Sequence, residues 1–383
     1  MKKLIFVFSI CLLAIIGFSM CSKSFYGQDT YKVTEELYSN WINQYKADNE
    51  TVWNKKEIVK GNLKMKFDYK IFGDAPADGR SLFISLHGGG NTATEVNDKQ
   101  WANQIKLYKP EEGIVITPRA PWDDWNMWFR PEIDDFFDEL IHLAIAMENV
   151  NPDKVYLLGY SAGGDGLYRM APRMADRWAA ASMMAGHPGD ASQVNLRNLP
   201  FMIWMGENDG AYDRNKWAKT IGARLDSLQS TDPSGYIHET HIVKGKGHWM
   251  ELEDAAAIPW MAKYKRNPYP EKIVWEQEKV IHPFFYWLGV SEREAKAGMK
   301  VVASRSGNTI TISENDYKEL TIFLNDKMFN MKEPIIVKYN DKVIFKNKVA
   351  GSAFNIEKTL RERKDLRYIF PSKLIVENNS IVR

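Results

Sequence analysis

A serine stands in Gly159-Tyr160-Ser161-Ala162-Gly163, directly after the apolar run Val155-Tyr156-Leu157-Leu158. This is the G-x-S-x-G pattern of a sharp strand-to-helix turn, which lifts a serine oxygen clear of a sheet. Small residues suit the flanks because so strained a backbone leaves little room for side chains. A serine held in this way can act as the nucleophile of acyl transfer. It then needs a base, an acid that orients the base, and donors for the negative oxygen of a tetrahedral intermediate.

Candidates for all three occur in the chain. Upstream, the apolar stretch Ser81-Leu82-Phe83-Ile84-Ser85-Leu86 runs into His87-Gly88-Gly89-Gly90, where glycines allow backbone N–H groups to turn inward. The N–H of Gly88 or Gly89, with that of Ala162, would form the oxyanion hole. Downstream, Pro200-Phe201-Met202-Ile203-Trp204-Met205 ends in Gly206-Glu207-Asn208-Asp209-Gly210. Asp209 is the best-placed acid, with Glu207 and Asp213 close enough to compete. Four histidines follow it: His238, His241, His248 and His282. His238 and His241 fall in a strand-like stretch, whereas His248 lies in the glycine-rich loop Lys244-Gly245-Lys246-Gly247-His248, which can present an imidazole to the serine. His248 is therefore preferred as base, and His282 is the second choice.

The motifs at 87–90, 159–163, 209 and 248, with Ser161-Ala162-Gly163-Gly164-Asp165-Gly166 extending the turn, resemble the α/β-hydrolase superfamily. The nearer resemblance is to secreted or lipid-anchored esterases related to phospholipase/carboxylesterase, dienelactone hydrolase and polyhydroxybutyrate depolymerase. It covers roughly residues 60–290. Leu167 to Arg177 and Met184-Ala185-Gly186-His187-Pro188 are also similar to bacterial members. The resemblance implies an α/β fold, a mostly parallel eight-stranded sheet flanked by helices, and a Ser-His-Asp ester hydrolase. A fold of this kind hosts many substrates and does not identify one.

The elements that would position these residues can be traced along the chain. Residues 31–47 read as an amphipathic helix with Leu37, Trp41, Ile42 and Tyr45 on one side. Met65 to Phe72 alternates as an outer antiparallel strand, and Gly113 to Pro118 is a buried one. Helices are expected over 134–147 and 210–228. Strands that alternate with helical patterns from 82 to 290 indicate a parallel sheet. After about residue 293 the texture changes to short strands separated by Ser306-Gly307-Asn308, Asn325-Asp326 and Asn340-Asp341. A charged helix near 354–365 and a last strand near 373–377 follow. The expected division is a signal segment at 1–21, a catalytic domain at 30–292 and a β-rich, sandwich-like accessory domain at 293–383. The accessory domain has neither His nor Trp, and is expected to stabilise the enzyme or bind a polymer.

Residues Leu4 to Phe18, after Met1-Lys2-Lys3, have the length of a signal-peptide core. Ser19-Met20-Cys21-Ser22 resembles a lipoprotein cleavage site, with Phe18 and Met20 departing from the usual small residues. An exported lipoprotein held at the membrane only through Cys21 is the expectation. Both cysteines, Cys11 and Cys21, fall in this segment, so the body has no disulfide, cysteine metal site or thiol nucleophile. Removal of residues 1–20 takes Lys2 and Lys3 from the 51 Lys and Arg and nothing from the 49 Asp and Glu. A chain so balanced carries no electrostatic footprint for nucleic acid. No metal or cofactor is expected.

Trp122, Trp125, Trp128 and Phe129 crowd one loop between Arg119 and Arg130. Aromatics there could stack on a sugar or an aromatic acyl group, and an arginine could pair with a carboxylate. The three tryptophans are the candidate substrate-binding residues, set against the ordinary role of large aromatics as filling between loop and body. Asp165 is explained by favourable charge at a helix N-terminus. The leading function is a serine carboxylic-ester hydrolase, with a glycan-linked ester as the candidate substrate. The alternatives are a serine peptidase with the same triad and a non-catalytic glycan-binding lipoprotein.

Overall fold

Eight strands form the central sheet: β1 (Glu57–Lys60), β2 (Leu63–Phe72), β3 (Arg80–Leu86), β4 (Gly113–Arg119), β5 (Val150–Tyr160), β6 (Ala180–Met184), β7 (Phe201–Gly206) and β8 (His238–Val243). The computed structural model describes residues 24–25, 29–378 and 380–382, so the expected signal segment and Cys21 lie outside the described residues. The strands run in the order β1-β2-β4-β3-β5-β6-β7-β8. The first two pairings, β1 with β2 and β2 with β4, are antiparallel, and all the others are parallel. This is the mostly parallel α/β-hydrolase fold expected from the sequence.

Both faces of the sheet are covered, which is why β3 to β7 read as nearly unbroken apolar runs. Leu82, Ile84, Ile116, Val155 and Leu157 turn to one face, and Phe83, Val115, Tyr156 and Leu158 to the other. The first face meets α3 (Ile133–Glu148), α4 (Ala162–Arg173) and α5 (Arg214–Thr231) through Phe136, Phe137, Leu167, Met170, Ile221 and Leu225. The second face packs against Tyr108, just past α2 (Thr94–Gln104), and against Ile258 and Met261. The long helix α1 (Asp29–Lys55) fulfils the amphipathic reading. Its Val33, Leu37, Tyr38 and Trp41 cover Ile356 and Leu360 of the C-terminal helix α6 (Ala353–Arg363).

Beyond the central sheet, the chain pairs Ser24–Phe25 briefly with Gly351–Ser352 and builds two five-stranded sheets. One contains β9 (Lys272–Glu276), β12 (Lys300–Ser306), β13 (Thr309–Asn315), β15 (Ile335–Tyr339) and β16 (Lys342–Asn347). The other contains β10 (Phe284–Phe285), β11 (Leu288–Val290), β14 (Glu319–Leu324), β17 (Ser372–Glu377) and β18 (Ser380–Val382). Alternate residues of both, such as Ile310, Ile312 and Val337 on one and Ile322, Leu374 and Val376 on the other, meet in a single core that continues into the first face of the central sheet. Strands within 272–290 pair with strands beyond 300, so the β-rich part recruits chain from ahead of the expected boundary at 293. Composition changes only where the helices stop, whereas strand ownership depends on pairing across the sheet.

Buried ion pairs fasten the β-rich part to the hydrolase body. Asp176, fully buried, receives Arg177 at 2.5 Å and Arg363 at 3.1 Å. The hydroxyl of Tyr368 donates to the carbonyl oxygen of Asp176 at 2.8 Å. Nearby, Arg266 pairs with Asp365 at 2.8 Å and Arg367 with Asp153 at 2.7 Å. Removal of one member leaves the others desolvated without compensation. Asp176→Ala should therefore lose about 3–5 kcal/mol in denaturant unfolding, and an unchanged midpoint would contradict this account of the joint.

Candidate active site

Strand ends deliver the site. In the parallel pairing of β3 with β5, Leu86 lies opposite Gly159, so the loop after β3 and the turn after β5 leave the sheet side by side. Ser161 has φ 57° and ψ −120°, a conformation that few non-glycine residues adopt. Its N–H donates to Met184 O at 2.9 Å and its carbonyl accepts from the N–H of Asp165 at 2.9 Å. A Cβ at Gly163 would overlap the Leu86 carbonyl, and one at Gly159 would overlap the carbonyl of Gly163. The glycines of the motif are thus required by the close approach of β3 to Gly163 and of the first turn of α4 to Gly159.

Ser161, His248 and Asp209 stand in one hydrogen-bonded line. Ser161 Oγ and His248 Nε2 are 2.9 Å apart, and His248 Nδ1 and Asp209 Oδ2 are 2.7 Å apart. With Nδ1–H donating to the carboxylate, Nε2 is left to accept the serine proton. Asp209 is 3% exposed, so its charge is little screened by water. The competing residues are engaged elsewhere. Glu207 accepts the N–H of Gly245, and Asp213 pairs with Lys216 on the surface. His238 contacts Asp226, and His241 stacks on Trp204 with ring centroids 4.3 Å apart. His282 bonds to Asp134, which also holds Arg173. It is part of a buried polar cluster at the base of α3 and α4.

The loop after β3, expected from the sequence to carry the oxyanion donors, is anchored from below. His87 is fully buried, with Nδ1 2.6 Å from Gly88 O and Nε2 3.3 Å from the N–H of Ala120. The first contact takes the Nδ1 proton, leaving Nε2 as acceptor. Trp128 Nε1–H donates to His87 O at 2.9 Å. Asn97 accepts the N–H of Gly90 at 2.8 Å, and the N–H of Asn91 bonds to Asp123 O at 2.5 Å. Among the described residues, no protein acceptor takes the N–H of Gly88, Gly89 or Ala162.

A cavity of about 500 Å³ opens over Ser161 and Ala162, with Gly89 and Gly90 on one side. The tryptophan expectation divides here. Trp125 is 60% exposed and lines the cavity. Trp128 is fully buried, its Cβ filling the space that a side chain at Gly166 would need, so it is a structural residue and not a substrate contact. Trp122 lies against the guanidinium of Arg130, 4.7 Å from the ring centre, and is not among the lining residues. The two loop arginines are also paired, Arg119 with Asp98 and Asp123, and Arg130 with Asp124.

Tyr160, Arg169 and Arg214 belong to the site but were not among the residues expected there from the sequence. Tyr160, the variable residue of the turn, donates its hydroxyl to His248 O at 2.6 Å and accepts the N–H of Met250 at 3.1 Å. It clamps the histidine loop to the serine turn. Arg169 and Arg214 line the far wall of the cavity, with Asp165 and His187. The spacing 161, 165, 169 puts Asp165 and Arg169 on the Ser161 side of α4, a helical signal that was there to be read. Burial pushes the Asp165 carboxyl up, and its Oδ1 accepts the N–H of His187. Among the described residues, no group of three His, Cys, Asp or Glu is arranged to hold a metal.

Burial also pushes the His87 imidazole down, from 6.5 to about 4. The unfolded chain then takes up a proton near pH 6.5 that the folded chain refuses. The stability contributed by neutral His87 is complete above that pH and is lost as pH falls toward 4. The stability difference between wild type and His87→Asn should therefore narrow by about 2 kcal/mol between pH 7 and 4.5 in denaturant melts. A difference independent of pH would count against a neutral buried imidazole.

No protein-family model matches the chain. Among curated proteins it is 27% identical over 170 residues to NocK of Nocardia uniformis subsp. tsuyamanensis, a protein assigned as an esterase, with 40% of this chain covered. The match takes in 48% of that protein, so the chain spans about half the length of its relative. Among solved structures it is similar to a thermostable esterase, with 16% identity, 55% of this chain and 62% of the other covered, and a TM-score of 0.40. It is also similar to the fluorophosphonate-binding serine hydrolase FphF of Staphylococcus aureus, with 14% identity, coverage of 54% and 96%, and a TM-score of 0.37. A third is Thermogutta terrifontis esterase 2, with 16% identity, coverage of 54% and 88%, and a TM-score of 0.39. The topology of the sheet and the strand-turn-helix at Ser161 are those of the α/β-hydrolase fold, and part of the chain is similar in sequence to NocK.

Proposed function

We propose that the protein is a serine carboxylic-ester hydrolase that works through an acyl-enzyme on Ser161. The observation that carries this reading is the unbroken line Ser161–His248–Asp209, at 2.9 and 2.7 Å, beside unpartnered backbone donors. Ser161 Oγ attacks the ester carbonyl as its proton passes to His248 Nε2. Asp209 stabilises the imidazolium, and the N–H groups of Ala162 and of Gly88 or Gly89 receive the oxyanion. His248 then gives the proton to the departing alkoxide. A water molecule, deprotonated by the same nitrogen, releases the acyl group and restores Ser161.

The substrate reading is an ester on a glycan, supported by exposed Trp125 at the mouth of the cavity and its edge-to-face contact with Phe129 at 5.2 Å. Such a platform suits the apolar face of a sugar ring. Ser161→Ala should lower kcat/KM on p-nitrophenyl acetate by about four orders of magnitude. Wild type should turn over the ester far faster than the matching p-nitroanilide. Equal rates for Ser161→Ala and wild type would remove Ser161 from the reaction, and a faster anilide would favour a peptidase.

A further inference from the structure

The charged side chains that line the cavity over Ser161 are Asp165 and Arg169 of α4 and Arg214 of α5, two cations to one carboxyl. Arg169 projects from α4, two turns beyond Ser161, and Arg214 begins α5, just past the turn that carries Asp209. Both guanidinium groups are held in place by rings. Arg169 lies over Phe129 at 4.1 Å from the ring centre, and Arg214 over Tyr212 at 4.9 Å. Stacking of this kind fixes the plane of the fork and leaves its N–H edge for a planar anion. Arg169 also occupies the space that a side chain at Gly189 would need, and Gly189 has φ 57°, which disfavours such a side chain.

Among the described residues, neither arginine has a carboxylate oxygen within hydrogen-bond distance, and Arg169 has only a long ion pair with Asp190. Among the described residues, the Arg214 side chain makes no hydrogen bond or ion pair, and its buried Nε–H has no acceptor. An unsatisfied buried N–H of a cation is costly enough that it points to a missing acceptor. Arg169 donates to the carbonyl oxygen of Asp165 at 3.0 Å, and its nearest carboxylate, Asp190, is 3.7 Å away. Asp165, the acidic residue between them in the cavity wall, has one oxygen taken by His187 N–H, and burial opposes its charge. By contrast, Arg119 and Arg130 in the aromatic loop each have carboxylate partners.

We propose that Arg169 and Arg214 form an anion subsite beside Ser161, and that the ester taken by this enzyme carries a carboxylate. The subsite rests on the ester-hydrolase reading of the same cavity, and it deepens that reading. The carboxylate, accepted by the two forks, would hold the ester carbonyl over Ser161 and supply the acceptor that Arg214 Nε lacks. It can belong to the acyl part, as in a monoester of a dicarboxylic acid, or to the alcohol part, as in an acylated uronic acid.

Two pairs of substrates separate these sources. One sets p-nitrophenyl hemiglutarate against p-nitrophenyl valerate, and the other sets O-acetylated galacturonic acid against O-acetylated galactose. In one pair or the other the anionic member should be preferred by about tenfold or more in kcat/KM. Arg214→Gln and Arg169→Gln should bring that ratio toward one, mainly through KM, and Arg214→Lys should keep part of it. A second arm needs no turnover: isothermal titration of Ser161→Ala with glutarate and with galacturonate. Saturable binding of one of them, weakened about tenfold or more by adding Arg214→Gln, would uphold the subsite even if no ester is cleaved. Neutral esters preferred in both pairs, or anion binding that is absent or indifferent to both arginines, would overturn it.

Discussion

The backbone at Ser161 is the constraint on which the site depends. With φ 57°, the residue sits in a conformation that costs free energy, so its surroundings must enforce it. They do so by contact and by hydrogen bond. The carbonyl of Leu86 presses on Gly163, that of Gly163 on Gly159, and that of Met184 on Gly164, while Met184 O accepts the serine N–H. Three neighbouring strands, β3, β5 and β6, therefore define one turn. Any slip in their parallel register would move the serine oxygen away from its neighbours.

Once the turn is fixed, the remaining groups arrive through loops at the same edge of the sheet. The loop after β3 brings backbone donors and is held by buried His87, Trp128 and Asn97. The loop after β7 brings Asp209, and the loop after β8 brings His248. The last of these is the longest reach from the core, and Tyr160 shortens it by bonding to both His248 O and Met250 N–H. Serine and imidazole are thus positioned by adjacent residues of one strand end. In the proposed reaction such an arrangement would lower the reorganisation needed when charge develops on the imidazole.

Much of this could be read from the sequence because it depends on local chemistry. Glycines at 88, 89, 159 and 163, apolar runs at 82–86, 155–158 and 201–205, and a loop histidine after a strand each carry their own signal. The residues that the sequence misplaced are those whose role depends on which side of a loop faces inward. Trp122, Trp125 and Trp128 look alike in sequence, yet one lies on a cation, one on the cavity and one in the core beneath Gly166. Arg119 and Arg130 looked available because their partners, Asp98, Asp123 and Asp124, gave no sign of pairing. The ownership of strands at 272–290 was hidden for a similar reason, since pairing with residues beyond 300 leaves no local trace.

The β-rich part shares a continuous core with the central sheet and is fastened to it by buried arginines and aspartates. What the chain does with its rigid serine is tested most directly by trapping the covalent state. A slowly hydrolysed ester would be mixed with the protein, quenched in acid, and analysed by intact and peptide mass spectrometry. The account predicts one acyl group per chain, located on Ser161. An enzyme that turns over the ester with no adduct, or with the acyl group on another residue, would contradict it.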